Sequence, residues 1–312
     1  VSMGTGDSRP SKNQRRDAAR EKARALREEQ KKKERRNKFI LQGSLIVVIL
    51  AIVAAVIFVI TSTIRPPAPG PLNMISDGIK IGEGFHAERT PSLLPNDDPV
   101  PSASNSPSSV LDIRVYVDYL CPICGNFEKA NADQIKKLVQ DGAATLEIHP
   151  VAILDRASMG TKYSTRAANA AACVANFAPD NFFDFSALLF KNQPEENSTG
   201  LDDDTIIGLA KEAGVSKFTN VSSCIKDQTF KNWVASATDR FNTNPFPNVA
   251  TQPQQHGTPT IFVNGQLYQY TFDSTTGAFD PAEFAAFLTK VLGANFSDNS
   301  TPSPSPSASP SK

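Results

Sequence analysis

Val115-Tyr116-Val117-Asp118-Tyr119-Leu120-Cys121-Pro122-Ile123-Cys124-Gly125-Asn126-Phe127 is the stretch that decides the fold. It starts as the apolar and aromatic run of a strand and ends in two thiols three positions apart, where a helical pattern opens. Thiols at that spacing on the first turn of a helix can close a disulfide, and the positive N-terminal end of the helix favours the thiolate of the first one. The chemistry implied is thiol-disulfide exchange by Cys121 and Cys124. Zinc would need four ligands, usually two such pairs or added histidines. Cys173 and Cys224 stand 51 positions apart, and His86, His149 and His256 show no ligand spacing. No metal and no bound cofactor is expected.

Around this stretch the periodicity predicts a strand over 110–119, a helix over 122–140 and a second strand over 145–149. A mostly helical region follows from about 164 to 242, then a strand over 260–263. Asn264-Gly265 is a hairpin turn into 266–270. A closing helix over 281–292 follows Asp280, a good N-cap, with Pro281 at the first helical position. This order of elements is an α/β sheet with a helical subdomain. A second signal is His256-Gly257-Thr258-Pro259-Thr260-Ile261-Phe262-Val263-Asn264-Gly265. Proline just ahead of a buried strand cannot donate to the ladder and suits a cis bond in a tight bend.

Together the two motifs resemble the thioredoxin-fold superfamily, and in particular the membrane-anchored DsbA-like thiol-disulfide oxidoreductases of Gram-positive bacteria, actinobacteria above all. The resemblance covers about 110–292. The family carries a helical domain inserted between the second and third core strands, and 105 positions separate Leu154 from Pro259 here. It implies that Cys121 is the exposed nucleophile and Cys124 its more buried partner. Thr258 and cis Pro259 would face the dithiol and hold an extended substrate segment by strand-like backbone pairing. Cys173 and Cys224 would form a structural disulfide within the insertion, although a second redox pair is the other reading. Pro122 and Ile123 complete the site. The strongest oxidases carry histidine at the position of Ile123; isoleucine offers no comparable hydrogen bond, so a less oxidising couple is expected. Asp118, three residues before Cys121, is either a proton relay for Cys124 or a strand-end acid bonded to local backbone.

The chain's 32 basic and 32 acidic residues are unevenly distributed: residues 1–38 hold 14 and 6 of them, leaving 18 and 26 beyond. Residues 39–64 contain no charge and are long enough for a transmembrane helix. The basic flank predicts a cytoplasmic N-terminus and an extracytoplasmic catalytic domain, where disulfides are the default state of cysteines. The expected organisation is a basic arm (1–38), a membrane anchor (39–64) and a Pro/Ser-rich linker with a short strand or hairpin near 77–85 (65–109). A thioredoxin-fold core (110–155 and 245–294) follows, interrupted by a helical insertion (156–244), and a disordered Ser/Pro tail (295–312) ends the chain.

The leading expectation is a monomeric, membrane-anchored oxidase that forms disulfides in exported cysteine-containing proteins and is reoxidised by a membrane partner of the VKOR or DsbB type. Nucleic acid is not an expected partner. A reductase or isomerase of the same fold is the first alternative. A peptide-binding or holdase module with an idle dithiol is the second.

Overall fold

The computed structural model describes residues 68–104, 110–273 and 275–299, with short pieces at 20–22, 24, 26–33, 36 and 51–53. The chain divides into two units, 1–66 and 67–312. In the first, the described residues are helical. Most of the basic arm, and the expected membrane span apart from 51–53, lie outside the described residues. Among the described residues no helix is long and apolar enough to cross a membrane.

In the second unit a five-stranded mixed sheet runs in the order β1-β3-β2-β4-β5. The strands are β1 (Ile79–Ile81), β2 (Leu111–Val117), β3 (Ala144–Pro150), β4 (Thr260–Val263) and β5 (Gln266–Leu267). β2 and β3 are parallel, in register from Leu111 opposite Ala144 to Val117 opposite Pro150. A parallel pair needs a crossover, and helix α1 (Pro122–Gln140) supplies it. β4 lies antiparallel to β2, and Asn264 and Gly265, both at positive φ, turn it into β5.

Alternation along β2 sorts its residues between two faces. Leu111, Ile113, Val115 and Val117 join Cys124, Phe127, Ile135 and Val139 of α1 in the main core. Tyr116 instead belongs to a second cluster with Val151, Phe241, Phe246 and Phe262. Arg114 is 4% exposed and its register partner Glu147 1%, and their side chains pair at 3.2 Å. Glu147 also accepts from Ser76 and Ser102, each at 2.6 Å. A buried ion pair is tolerated only when its remaining hydrogen-bonding capacity is met, and residues 68–104 help to meet it. The stretch expected to be a linker is therefore largely packed on the domain. Met74, Ile79 and Ile81 are fully buried, and β1 is an edge strand antiparallel to β3. The short strand expected near 77–85 is present as β1, but the Pro/Ser-rich composition around it gave no sign of the packing.

The region between β3 and β4 holds five helices: α2 (Tyr163–Phe177), α3 (Phe182–Lys191), α4 (Asp203–Glu212), α5 (Phe218–Lys226) and α6 (Lys231–Thr243). α2 is buried on nearly every side. Its alanines let the neighbouring helices approach closely. Phe182, Phe183, Phe185 and Leu189 of α3 fill the core beside it. A Cys173–Cys224 disulfide joins α2 to α5, with Cα atoms 5.8 Å apart. The closing helix α7 (Pro281–Asn299) runs past residue 294, where the tail was expected to begin. The rest of that tail, 300–312, lies outside the described residues.

Candidate active site

β2 ends at Val117, and the chain turns through Asp118, Tyr119 and Leu120 before α1 starts. The Cys121 N–H donates to Asp118 O at 3.0 Å, closing this turn. Cys121 is the N-cap of α1 and Pro122 occupies its first position, where proline's fixed φ is already helical and its missing N–H costs nothing. One helical turn on, Cys124 comes back under the same end of the helix. Both thiols are free.

The Thr258-Pro259 bond is cis, and the Cys121 thiol donates to Thr258 O at 3.2 Å. The loop covers the sulfur: Cys121 is 6% exposed and Cys124 2%. The expectation of an exposed Cys121 is thus corrected, although the order of the two holds. Pro259 is fixed from its other side by Tyr270, whose hydroxyl donates to Pro259 O at 3.1 Å.

The electrostatics separate the thiols. A hydrogen bond from Cys124 lowers Cys121 to about 7 against the opposing effect of burial, helped by the Thr258 side chain and the backbone N–H groups of Cys124 and Ile123. Burial, then the shared hydrogen bond with Cys121, raises Cys124 well above the usual thiol range. One thiol is poised to ionise and the other to keep its proton. Ile123 contributes only its backbone N–H to this setting.

Asp118 is fully buried. Its Oδ1 accepts from the Leu120 N–H and its Oδ2 from the Leu154 N–H, both at 2.9 Å. Both oxygens therefore pin loop backbone, and the group that faces Cys124 is the Asp118 backbone N–H. Burial raises the carboxyl to about 6. Glu128, which the sequence reading passed over, lines a small apolar cavity with Cys124, Phe127 and Phe190, and burial raises it to about 7. Its position four residues after Cys124 puts it on the same helix face, a signal the sequence did contain.

These two acids set a pH dependence. A carboxyl raised in the folded state stabilises fully below its ordinary value and loses that contribution as pH rises through the folded one. From these two acids the unfolding free energy should fall by about 5 kcal/mol between pH 4 and 7, about 2–3 from each. Asp118→Asn should flatten the lower part of this slope and Glu128→Gln the upper part, as followed by urea unfolding of the reduced protein. An unchanged slope in both variants would reject the assignment.

Neither remaining histidine of the domain core adds a group to the dithiol. His149 lies 3.3 Å from Glu147 and stacks on Tyr116 with ring centroids 4.3 Å apart. His256 bonds to Phe241 O and packs on Phe246. Among the described residues no group of side chains could hold a metal ion.

The sequence profile described as Thioredoxin matches residues 103–288. The disulfide bond oxidoreductase DsbG of Mycobacterium tuberculosis, in reduced form, superposes with a TM-score of 0.51 at 30% identity, over 72% of this chain and 93% of that one. Reduced DsbA of the same organism gives 0.50 at 28% identity, over 71% and 98%. The serine/threonine-protein kinase PknE of M. tuberculosis is 32% identical over 135 residues, 42% of this chain but 23% of the kinase. The chain thus spans under a quarter of that curated relative's length.

Proposed function

The chain belongs to the thioredoxin family, among its DsbA-like protein thiol-disulfide oxidoreductases, and from that premise we propose that it is an oxidase that forms disulfides in exported proteins outside the membrane. The observation that carries this reading is the division of labour in the dithiol: Cys121 is lowered toward the thiolate while Cys124, deeper, keeps its proton.

In the oxidised enzyme a substrate thiolate attacks Cys121 Sγ, forming a mixed disulfide as the Cys121–Cys124 bond breaks and Cys124 takes a proton. A second substrate thiolate then attacks the substrate sulfur of that mixed disulfide and Cys121 leaves as thiolate. Its depressed value makes it the better leaving group. Two electrons pass from substrate to enzyme, so a partner must reoxidise the pair; a VKOR- or DsbB-type membrane protein fits that need. Thr258 and Pro259 would present backbone to an extended substrate segment, and Pro122 and Ile123 would form the rim that it crosses. The uncharged stretch 39–64 and its basic flank support a membrane anchor with the dithiol outside.

A reductant is the second reading, favoured by one observation: with Ile123 adding no side-chain hydrogen bond, Cys121 stands at about 7, the value typical of thioredoxin rather than the ~3.5 of DsbA. The reduction potential of the Cys121/Cys124 couple, measured in glutathione buffers with Cys173 and Cys224 followed separately by mass, decides between them. An oxidase is expected toward about −120 mV, and a value near about −270 mV would overturn that direction.

A further inference from the structure

We propose that Gln193, just beyond α3, is a positioning residue for the dithiol, clamping the backbone carbonyls on both sides of Leu120 and so holding Cys121 against the Thr258 loop. The proposal rests on Cys121 being the attacking thiol.

Gln193 Nε2 donates to Tyr119 O at 3.0 Å and to Cys121 O at 2.9 Å. A side-chain amide has two N–H hydrogens, so one group makes both bonds together. Each does separate work. Tyr119 is fully buried, and a buried carbonyl left without a donor is costly. Cys121 O already accepts from the Gly125 N–H at 3.1 Å in the first turn of α1; the second donor fixes the plane of the Cys121-Pro122 peptide. That plane sets where the Cys121 side chain points and how the Ile123 and Cys124 N–H groups meet its sulfur.

The clamp is itself supported. The Gln193 N–H donates to Phe190 O at 3.1 Å, the Phe190 ring packs on Tyr119 with centroids 5.0 Å apart, and Ser186 Oγ lies 3.0 Å from Tyr119 Oη. One end of the insertion thereby seats the turn from strand to helix. On the other side, a Cβ added to Gly125 would collide with Gln193 Oε1. Glycine after the second cysteine leaves room for the clamp. By contrast, the main charged groups of the cavity on the opposite sheet face, Arg114 with Glu147 and Arg240 with Asp77, are paired within the protein, so it calls for no ligand.

The test compares the full chain in detergent with Gln193→Met, Gln193→Glu, Gly125→Ala and the Gly125→Ala/Gln193→Met double variant. Thiolate absorbance near 240 nm gives the titration of Cys121, exchange with glutathione disulfide at pH 6 gives the rate, and thermal unfolding shows whether each protein is folded. Met and Glu both remove the donor at similar size. Either should raise the Cys121 midpoint and slow exchange about three- to tenfold, the scale of one or two hydrogen bonds. Gly125→Ala should push Gln193 aside and produce the same shift. The double variant should then be no worse than either single, the sign of one shared contact. Folded Gln193 variants that titrate and react within twofold of the parent, a change in melting temperature alone, or single effects that simply add would each overturn the clamp. If Cys121→Ser kept its exchange activity, the underlying reading of Cys121 would fail instead.

Discussion

Cys121→Ser brings disulfide exchange down to the uncatalysed rate, while Cys124→Ser accumulates the enzyme as a mixed disulfide. The asymmetry follows from the geometry. Only Cys121 meets both the Thr258 carbonyl and the first backbone N–H groups of α1, and only a thiolate attacks a disulfide. Cys124 is 2% exposed and its proton is held tightly, so it can resolve a bond to Cys121 but cannot reach an incoming protein. Without it, a substrate captured on Cys121 has no internal exit. Mass spectrometry after a disulfide-bonded model peptide is added should find the adduct on Cys124→Ser, formed as the Cys121 thiolate attacks the peptide disulfide and releases a peptide thiolate, and none on Cys121→Ser. The same asymmetry is visible without substrate: alkylation of reduced enzyme by iodoacetamide should modify Cys121 and slow about fivefold from pH 7 to pH 6, as the thiolate fraction of a group near 7 requires. Equal labelling of the two cysteines, or an adduct on Cys121→Ser, would refute these roles.

The dithiol was readable because its chemistry is local: the strand, the two thiols and the helix start lie within Val115 to Phe127, and proline at the first helical position marks the boundary. Thr258-Pro259 was readable for a similar reason, since proline ahead of a strand can sit in few places. Gln193 was not, because nothing in its neighbourhood says that its amide meets Cys121, 72 residues earlier; the insertion's packing brings them together. Tyr270 escaped for the opposite reason. It was read as a strand residue, whereas β5 ends at Leu267 and the chain beyond carries its hydroxyl to Pro259. Arg114 and Glu147 sit in strands read as apolar runs, and their burial makes sense only once residues 68–104 are seen to supply Ser76 and Ser102. The linker reading placed a short strand near 77–85, and the structure packs much of the rest of 68–104 on the domain as well.

Removing the Cys173–Cys224 bond should cost more stability than any other single change outside the sheet. It closes a loop across a separation of 51 residues, and restricting the unfolded chain over such a loop is worth about 4 kcal/mol in the chain-entropy account. The native side adds to this, since both sulfurs are buried where α2 meets α5. The paired Cys173→Ala/Cys224→Ala variant should therefore lose about 2–4 kcal/mol in urea unfolding. The dithiol should nonetheless keep its Cys121 titration while the protein is folded, because the groups around that sulfur come from the start of α1 and the Thr258 loop. A bond that served as a second redox pair would behave differently: it would open in the glutathione buffers that titrate Cys121 and Cys124, and its loss would impair turnover at temperatures where the variant is fully folded. Placed at a helix junction rather than at a helix start, it lacks the thiolate-favouring N–H groups that exchange needs. A stability loss below about 1 kcal/mol, or turnover that falls while folding is intact, would contradict a purely structural role.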